Sequence, residues 1–122
     1  MDATRESIET ISLSLAKHGV VGFLATTVTS TWENTLNAFR TIGEAYHNQP
    51  SGALVLGAYN EGIFFTEDHK GAHDEKYFLS LNKNNIDAII NAAQGSLKVV
   101  ALAPELKNSQ AIIQHLALHK IK

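Results

Sequence analysis

Three short apolar runs, at residues 20–25, 53–59 and 97–103, are separated by stretches whose apolar residues recur at helical spacing, and this alternation constrains the chain more than any other feature. Residues 4–17 predict a helix with Ile8, Ile11 and Leu15 on one face and Gly19 as its stop. The run Val20-Val21-Gly22-Phe23-Leu24-Ala25 reads as a strand covered on both faces. Ser30 and Glu33 have the spacing of a capping box, in which each satisfies an orphan backbone donor of the helix that follows. The buried stripe of that helix is expected to be Trp32, Leu36, Phe39, Gly43 and Tyr46, before Pro50 and Gly52 end it. A strand at 53–59 follows, and then a polar, poorly periodic stretch at 60–83. Ile86, Ile89 and Ile90 predict a helix over 84–93, closed by Gly95. The third strand, 97–103, stops at Pro104. Residues 109–118 predict a last helix with Ile112, Ile113 and Leu116 inward. The order α-β-α-β-loop-α-β-α implies an α/β fold: a parallel sheet with right-handed crossovers and helices on its faces.

With 122 residues, 44% of them hydrophobic and 18% charged, the chain has the length and composition of one water-soluble domain. A net charge of −2 gives no electrostatic reason to expect nucleic acid or an acidic membrane surface as a partner. The absence of cysteine excludes disulfides and thiolate chemistry. No run approaches the roughly 20 apolar residues that span a bilayer, and Met1-Asp2-Ala3-Thr4-Arg5-Glu6 lacks the layout of a signal peptide. A cytoplasmic location is the expectation. Three parallel strands leave two unpaired sheet edges, whereas a closed eight-stranded barrel takes about 250 residues. Lys120-Ile121-Lys122 reads as the start of a fourth strand, so the chain reads as a piece of a larger fold.

Ligands and metals bind at the ends of strands in α/β proteins. The second strand runs through Leu54-Val55-Leu56-Gly57-Ala58-Tyr59-Asn60 directly into Glu61-Gly62, and Lys70-Gly71-Ala72-His73 follows in the long loop. Glu61 is therefore the carboxylate best placed for chemistry, although capping the next turn or pairing with Lys70 would equally account for it. His73 is either a ligand contact or a solvated loop histidine, and loops carry function disproportionately. His69 and Lys70 read as surface residues. Glu105, at the next strand end, lies on the same rim as Glu61. It either orients a neighbouring group or favours the following helix through its dipole.

These motifs resemble those of the N-acetylglucosamine-6-phosphate deacetylases of the amidohydrolase superfamily. That family typically carries Leu-Gly-Leu-His-Leu-Glu-Gly-Pro-Phe, a Lys-Gly-Ala/Thr-His loop and Lys-Val-(Val/Thr)-Leu-Ala-Pro-Glu. This chain has Leu56-Gly57-Ala58-Tyr59-Asn60-Glu61-Gly62-Ile63-Phe64, then Lys70-Gly71-Ala72-His73, then Lys98-Val99-Val100-Ala101-Leu102-Ala103-Pro104-Glu105. Upstream, Gly22-Phe23-Leu24-Ala25-Thr26 is similar to a Ser/Thr-Phe/Tyr-Leu-Pro-Thr segment. The resemblance implies a partial (β/α)8 TIM barrel, one amidohydrolase-type segment over residues 1–122, with about three parallel strands and flanking helices. It implies metal-dependent hydrolysis of the N-acetyl amide of an amino-sugar phosphate, with zinc or iron as the divalent cofactor. Glu61 matches the metal-binding carboxylate, and Ala72 and His73 match the loop that contacts the sugar phosphate. Tyr59 and Ile63 replace the family's histidine and proline beside the glutamate, and Ala25 stands where proline is usual. The family's two later metal-binding histidines and its catalytic aspartate have no match, so no catalytic residue is assigned within the chain. The expectation is a truncated or decayed segment of such an enzyme.

His115 and His119, four residues apart on one helix, have the spacing of a shared metal site, with no third ligand evident. Trp32, Phe39 and Tyr46 read as core rather than a stacking platform. No G-x-x-x-x-G-K-[ST] loop and no G-x-S-x-G elbow occurs, which leaves phosphoryl transfer and a serine nucleophile without support. The competing reading is a non-catalytic α/β module that covers its sheet edges by homo-oligomerisation or with a complementing chain.

Overall fold

The computed structural model describes residues 2–122; Met1, where the leader reading begins, lies outside them. Its elements are α1 (Arg5–Lys17), β1 (Gly22–Thr27), α2 (Trp32–His47), β2 (Leu54–Asn60), α3 (Lys83–Ala93), β3 (Leu97–Val100) and α4 (Ser109–Leu118). Two single 3-10 turns, Glu67–His69 and Glu75–Tyr77, punctuate the long connection between β2 and α3. The strands form one parallel sheet in the order β1-β2-β3. The fold is thus α/β, with three parallel strands and flanking helices, as the alternation requires.

Helices α1, α2 and α3 start where short polar side chains satisfy their first N–H groups. Thr4 accepts from Ser7 N–H and Asn82 from Asn85 N–H. At α2 the cap is Thr31, which accepts from Asn34 N–H. This corrects the expected Ser30–Glu33 capping box: with Thr31 as cap, Glu33 sits one position too early to reach back. Ser30 instead accepts from the Asn34 side-chain amide.

The buried faces also differ from the expected stripes. In α2 the buried residues are Thr35, Ala38, Phe39, Ile42, Gly43 and Ala45, while Trp32, Leu36 and Tyr46 sit at the margin of the core. This helix packs on β2, α1 and α3 together, so its buried arc is wide and centred on small residues. In α1, Ile8 and Ser12 are buried and Ile11 is 49% exposed. Ser12 sets that rotation: its hydroxyl donates to the Ala53 carbonyl while Ala53 N–H donates to the Ser12 carbonyl. In α4, Ile112 and Leu116 face the core, but Ile113 is half exposed.

The first strand lies two residues later than expected and is an edge, paired only with β2. It is not covered on both faces: its residues are mostly half-buried, and Val21 just before it is 85% exposed. In β2, Val55 and Ala58 enter the core, whereas Leu54 and Leu56 are half exposed on the opposite face. The register slips between Phe23↔Val55 and Leu24↔Gly57. Glycine is required at that slip, because φ is +146° and a Cβ would lie 2.4 Å from the Ser96 carbonyl oxygen. The third strand ends at Val100, three residues earlier than expected, but Ala101 N–H still donates to the Asn60 carbonyl. At the chain's end Lys122 N–H donates to the Lys98 carbonyl, and Val100 N–H donates to the Lys122 carbonyl. That reciprocal pattern is parallel pairing, confined to Lys122; among the described residues the expected fourth strand does not form, and the sheet has three strands.

Candidate functional site

The carboxyl ends of β1 and β2 deliver Thr29 and Glu61 to one rim, and the long connection folds back to place His73 between them. His73 Nδ1 is hydrogen-bonded to Thr29 Oγ1 at 2.7 Å, and its Nε2 lies 3.9 Å from Glu61 Oε1. The His73 side chain is only 16% exposed, against 41% for Glu61. Its ring packs edge-on against Phe65, with centroids 5.0 Å apart, and Phe65 packs edge-on against Phe78. The imidazole is therefore held by an aromatic wall on one side and a hydroxyl on the other, leaving Nε2 directed toward the carboxylate without a hydrogen bond. His73 is not the free loop histidine that composition alone would allow.

Gly62 makes this arrangement sterically feasible. Its φ is +116°, and a Cβ there would meet Thr29 Oγ1 at 2.1 Å and His73 Nδ1 at 2.9 Å. His73 N–H donates to the Lys70 carbonyl across the tight turn that carries Gly71 and Ala72. Ala72 is exposed at that turn, beside His73.

Lys70 does not pair with Glu61. Its ammonium is engaged by Glu75, whose hydrogen bond raises the Lys70 pKa above the usual lysine value. His69 is exposed but not solitary, lying 3.3 Å from Glu105. Glu105 also accepts from Thr66 Oγ1 at 3.1 Å. Its carboxyl is held below the ordinary range by its own backbone N–H first, then by Thr66 and His69. Glu105 thus ties the loop to the end of β3, four residues before α4 begins.

Asn60, directly before Glu61, is completely buried, and neither its side-chain nitrogen Nδ2 nor its side-chain oxygen Oδ1 finds a partner. Sequence reasoning passed over it because an asparagine at a strand end ordinarily reads as a turn residue.

A catalytic zinc takes three protein ligands. The rim provides one carboxylate and one imidazole, and among the described residues the one group of three ligating side chains lies elsewhere, on α3 and α4. The rim residues therefore do not make up a complete metal centre. The group of three is Asp87, His115 and His119, which supplies the third ligand that the i, i+4 histidine spacing alone did not reveal. Asp87 is 28 positions from His115, so no local pattern links them.

A parallel α/β unit with its polar side chains gathered at the carboxyl ends of its strands is a layout that (β/α)8 barrels and open α/β sheets share. The chain is similar to a segment of N-acetylglucosamine-6-phosphate deacetylase. It is 39% identical over 121 residues to that enzyme from Vibrio furnissii, covering 99% of the chain and 30% of the relative. To the N-acetylgalactosamine-6-phosphate deacetylase of Escherichia coli O157:H7 it is 34% identical over 122 residues, or 32% of the relative. The chain thus spans about a third of the curated relatives it matches. No family model matches it. A solved deacetylase from Mycobacterium smegmatis in complex with N-acetyl-D-glucosamine-6-phosphate superimposes on 98% of the chain with a TM-score of 0.85 at 22% identity. The Thermotoga maritima enzyme superimposes on 92% of the chain with a TM-score of 0.78 at 28% identity. In these two the chain covers 30% and 29% of the solved structure. No helix of the described residues is long and apolar enough to cross a membrane.

Proposed function

We propose that residues 1–122 form one partial barrel segment of an N-acetylhexosamine-6-phosphate deacetylase, an enzyme that hydrolyses the N-acetyl amide to the free amino sugar phosphate and acetate. The observation that carries the reading is the joining of Glu61, His73 and Thr29 at the strand ends of a chain that matches such deacetylases over its whole length. The relatives' names include both the glucosamine and the galactosamine form. Those sugars differ only in configuration at one ring carbon, so the substrate class is an N-acetylated hexosamine 6-phosphate.

In this reading Glu61 contributes one carboxylate to a divalent-metal centre, zinc or iron, whose other ligands come from outside this chain. His73 and the exposed turn at Ala72 contact the sugar phosphate. The Thr29 hydrogen bond fixes the plane of the His73 ring, so Nε2 reaches a ligand oxygen without first losing side-chain freedom. Location in the cytoplasm belongs to the same reading, since amino-sugar phosphates are charged metabolites.

The test is a graft. Residues 1–122 replace the matching segment of the Vibrio furnissii deacetylase, and acetate release from N-acetylglucosamine 6-phosphate is followed. The graft is expected to turn over, Glu61→Gln to abolish turnover, and His73→Ala to raise KM. A graft that folds and binds metal but is as active with Glu61→Gln as without it would sink the assignment.

One observation favours a second reading, a non-catalytic module that pairs with a further copy or chain. The outer edge of β1 is unpaired, and beyond β3 only Lys122 is paired.

A further inference from the structure

We propose that Asp87 on α3 and the His115–His119 pair on α4 form a second metal site, of the zinc class, that clamps these two helices together. One ligating atom from each of the three side chains falls within 4.8 Å of the others. His115 Nε2 already lies 2.6 Å from Asp87 Oδ1, and the two imidazole rings stand edge to face with centroids 4.9 Å apart. Ligand atoms around a tetrahedral zinc lie roughly 3.4 Å apart, given bonds of about 2.1 Å. Closing the set requires the His115–Asp87 hydrogen bond to open from 2.6 Å and the exposed His119 side chain to rotate toward them. His115 is held in place by burial, at 16% exposure.

The donor chemistry selects the ion. Two imidazoles and one carboxylate suit borderline transition ions such as Zn²⁺ or Co²⁺ rather than Mg²⁺ or Ca²⁺, which take oxygen ligands. Three protein ligands leave one position for water. Lys83 pairs with the other oxygen of Asp87, which orients the carboxylate toward the histidines and leaves Oδ1 to the ion. The site lies on helices rather than at the strand ends, and it is independent of the deacetylase reading.

The clamp joins α3 to α4, whose buried residues are Ile112 and Leu116. Metal binding to the folded chain alone therefore raises its thermal stability. The test uses the whole 122-residue chain and four proteins: wild type, His119→Ala, His119→Gln and Glu61→Gln. Wild type and Glu61→Gln are expected to bind one Co²⁺ with the visible absorption of a low-coordinate ion, and Zn²⁺ is expected to raise their Tm. Both His119 variants should fold, because that side chain is exposed, yet bind at least about tenfold more weakly. Loss of even an outer-shell partner costs that much. Absence of Co²⁺ binding by the wild type, equal binding by the His119 variants, or loss of binding in Glu61→Gln alone would each overturn the proposal.

Discussion

At the level of single residues, the rim departs from what a stable strand end would contain. Asn60 is fully buried, and both of its side-chain polar atoms lack partners. An amide in that state has lost its water without replacement, at a cost of about 1–3 kcal/mol. Leucine has the same number and branching of side-chain heavy atoms, and it occupies this position in the family pattern that the Glu61 motif resembles. Asn60→Leu is therefore expected to stabilise the chain by about 1–3 kcal/mol, read as a rise in the urea midpoint at unchanged slope. An unchanged or lowered midpoint would mean that the amide has a partner, such as an ordered water. Gly62 is the opposite case, a residue whose lack of a side chain the rim cannot do without. The Glu61-Gly62 dipeptide was legible in the sequence as a strand-end motif. That the glycine makes room for Thr29 and His73 was not, because those two residues are 44 positions apart.

Among the elements, the count and order of helices and strands followed from the sequence, because apolar runs and helical periodicity report local burial directly. Their rotation did not. The inward face of α1 is set by Ser12, a polar residue that periodicity scores as outward, through its bonds to Ala53. The face of α2 is set by how closely it approaches α3. Gly43 marks that approach: a Cβ there would lie 2.8 Å from the Ala93 carbonyl oxygen. In an exposed helix, glycine to alanine gains about 1 kcal/mol. Here the new methyl meets backbone that only a shift of α3 can move, so overpacking of about 1–3 kcal/mol outweighs the gain. Gly43→Ala is thus expected to lower thermal stability, and an increase in Tm would show that the two helices separate freely. The site was legible to the same degree as the fold. Glu61, Ala72 and His73 come from contiguous motifs, whereas the Thr29 bond and the Asp87 ligand arise from contacts between elements distant in sequence.

Across the whole molecule, the dominant fact is a sheet whose outer edges are not closed. Among the described residues no strand pairs with the outer side of β1, Val21 beside it is 85% exposed, and the face of β2 opposite the core leaves Leu54 and Leu56 half exposed. In a closed barrel such an edge is paired and such a face covered, while an open edge is a template for another strand. At a net charge of only −2, little electrostatic repulsion opposes contact between copies. The chain is accordingly expected to self-associate, its weight-average mass in sedimentation equilibrium rising above the monomer as concentration increases. Val21→Lys places a charge on the exposed approach to β1 without touching the core, so it should lower association and, at a concentration where both proteins are monomeric, leave the unfolding free energy within about 0.5 kcal/mol of wild type. A wild-type chain that stays monomeric at every concentration would sink this account. If the mutant loses stability under those monomeric conditions as well, the edge is held by contacts within one copy.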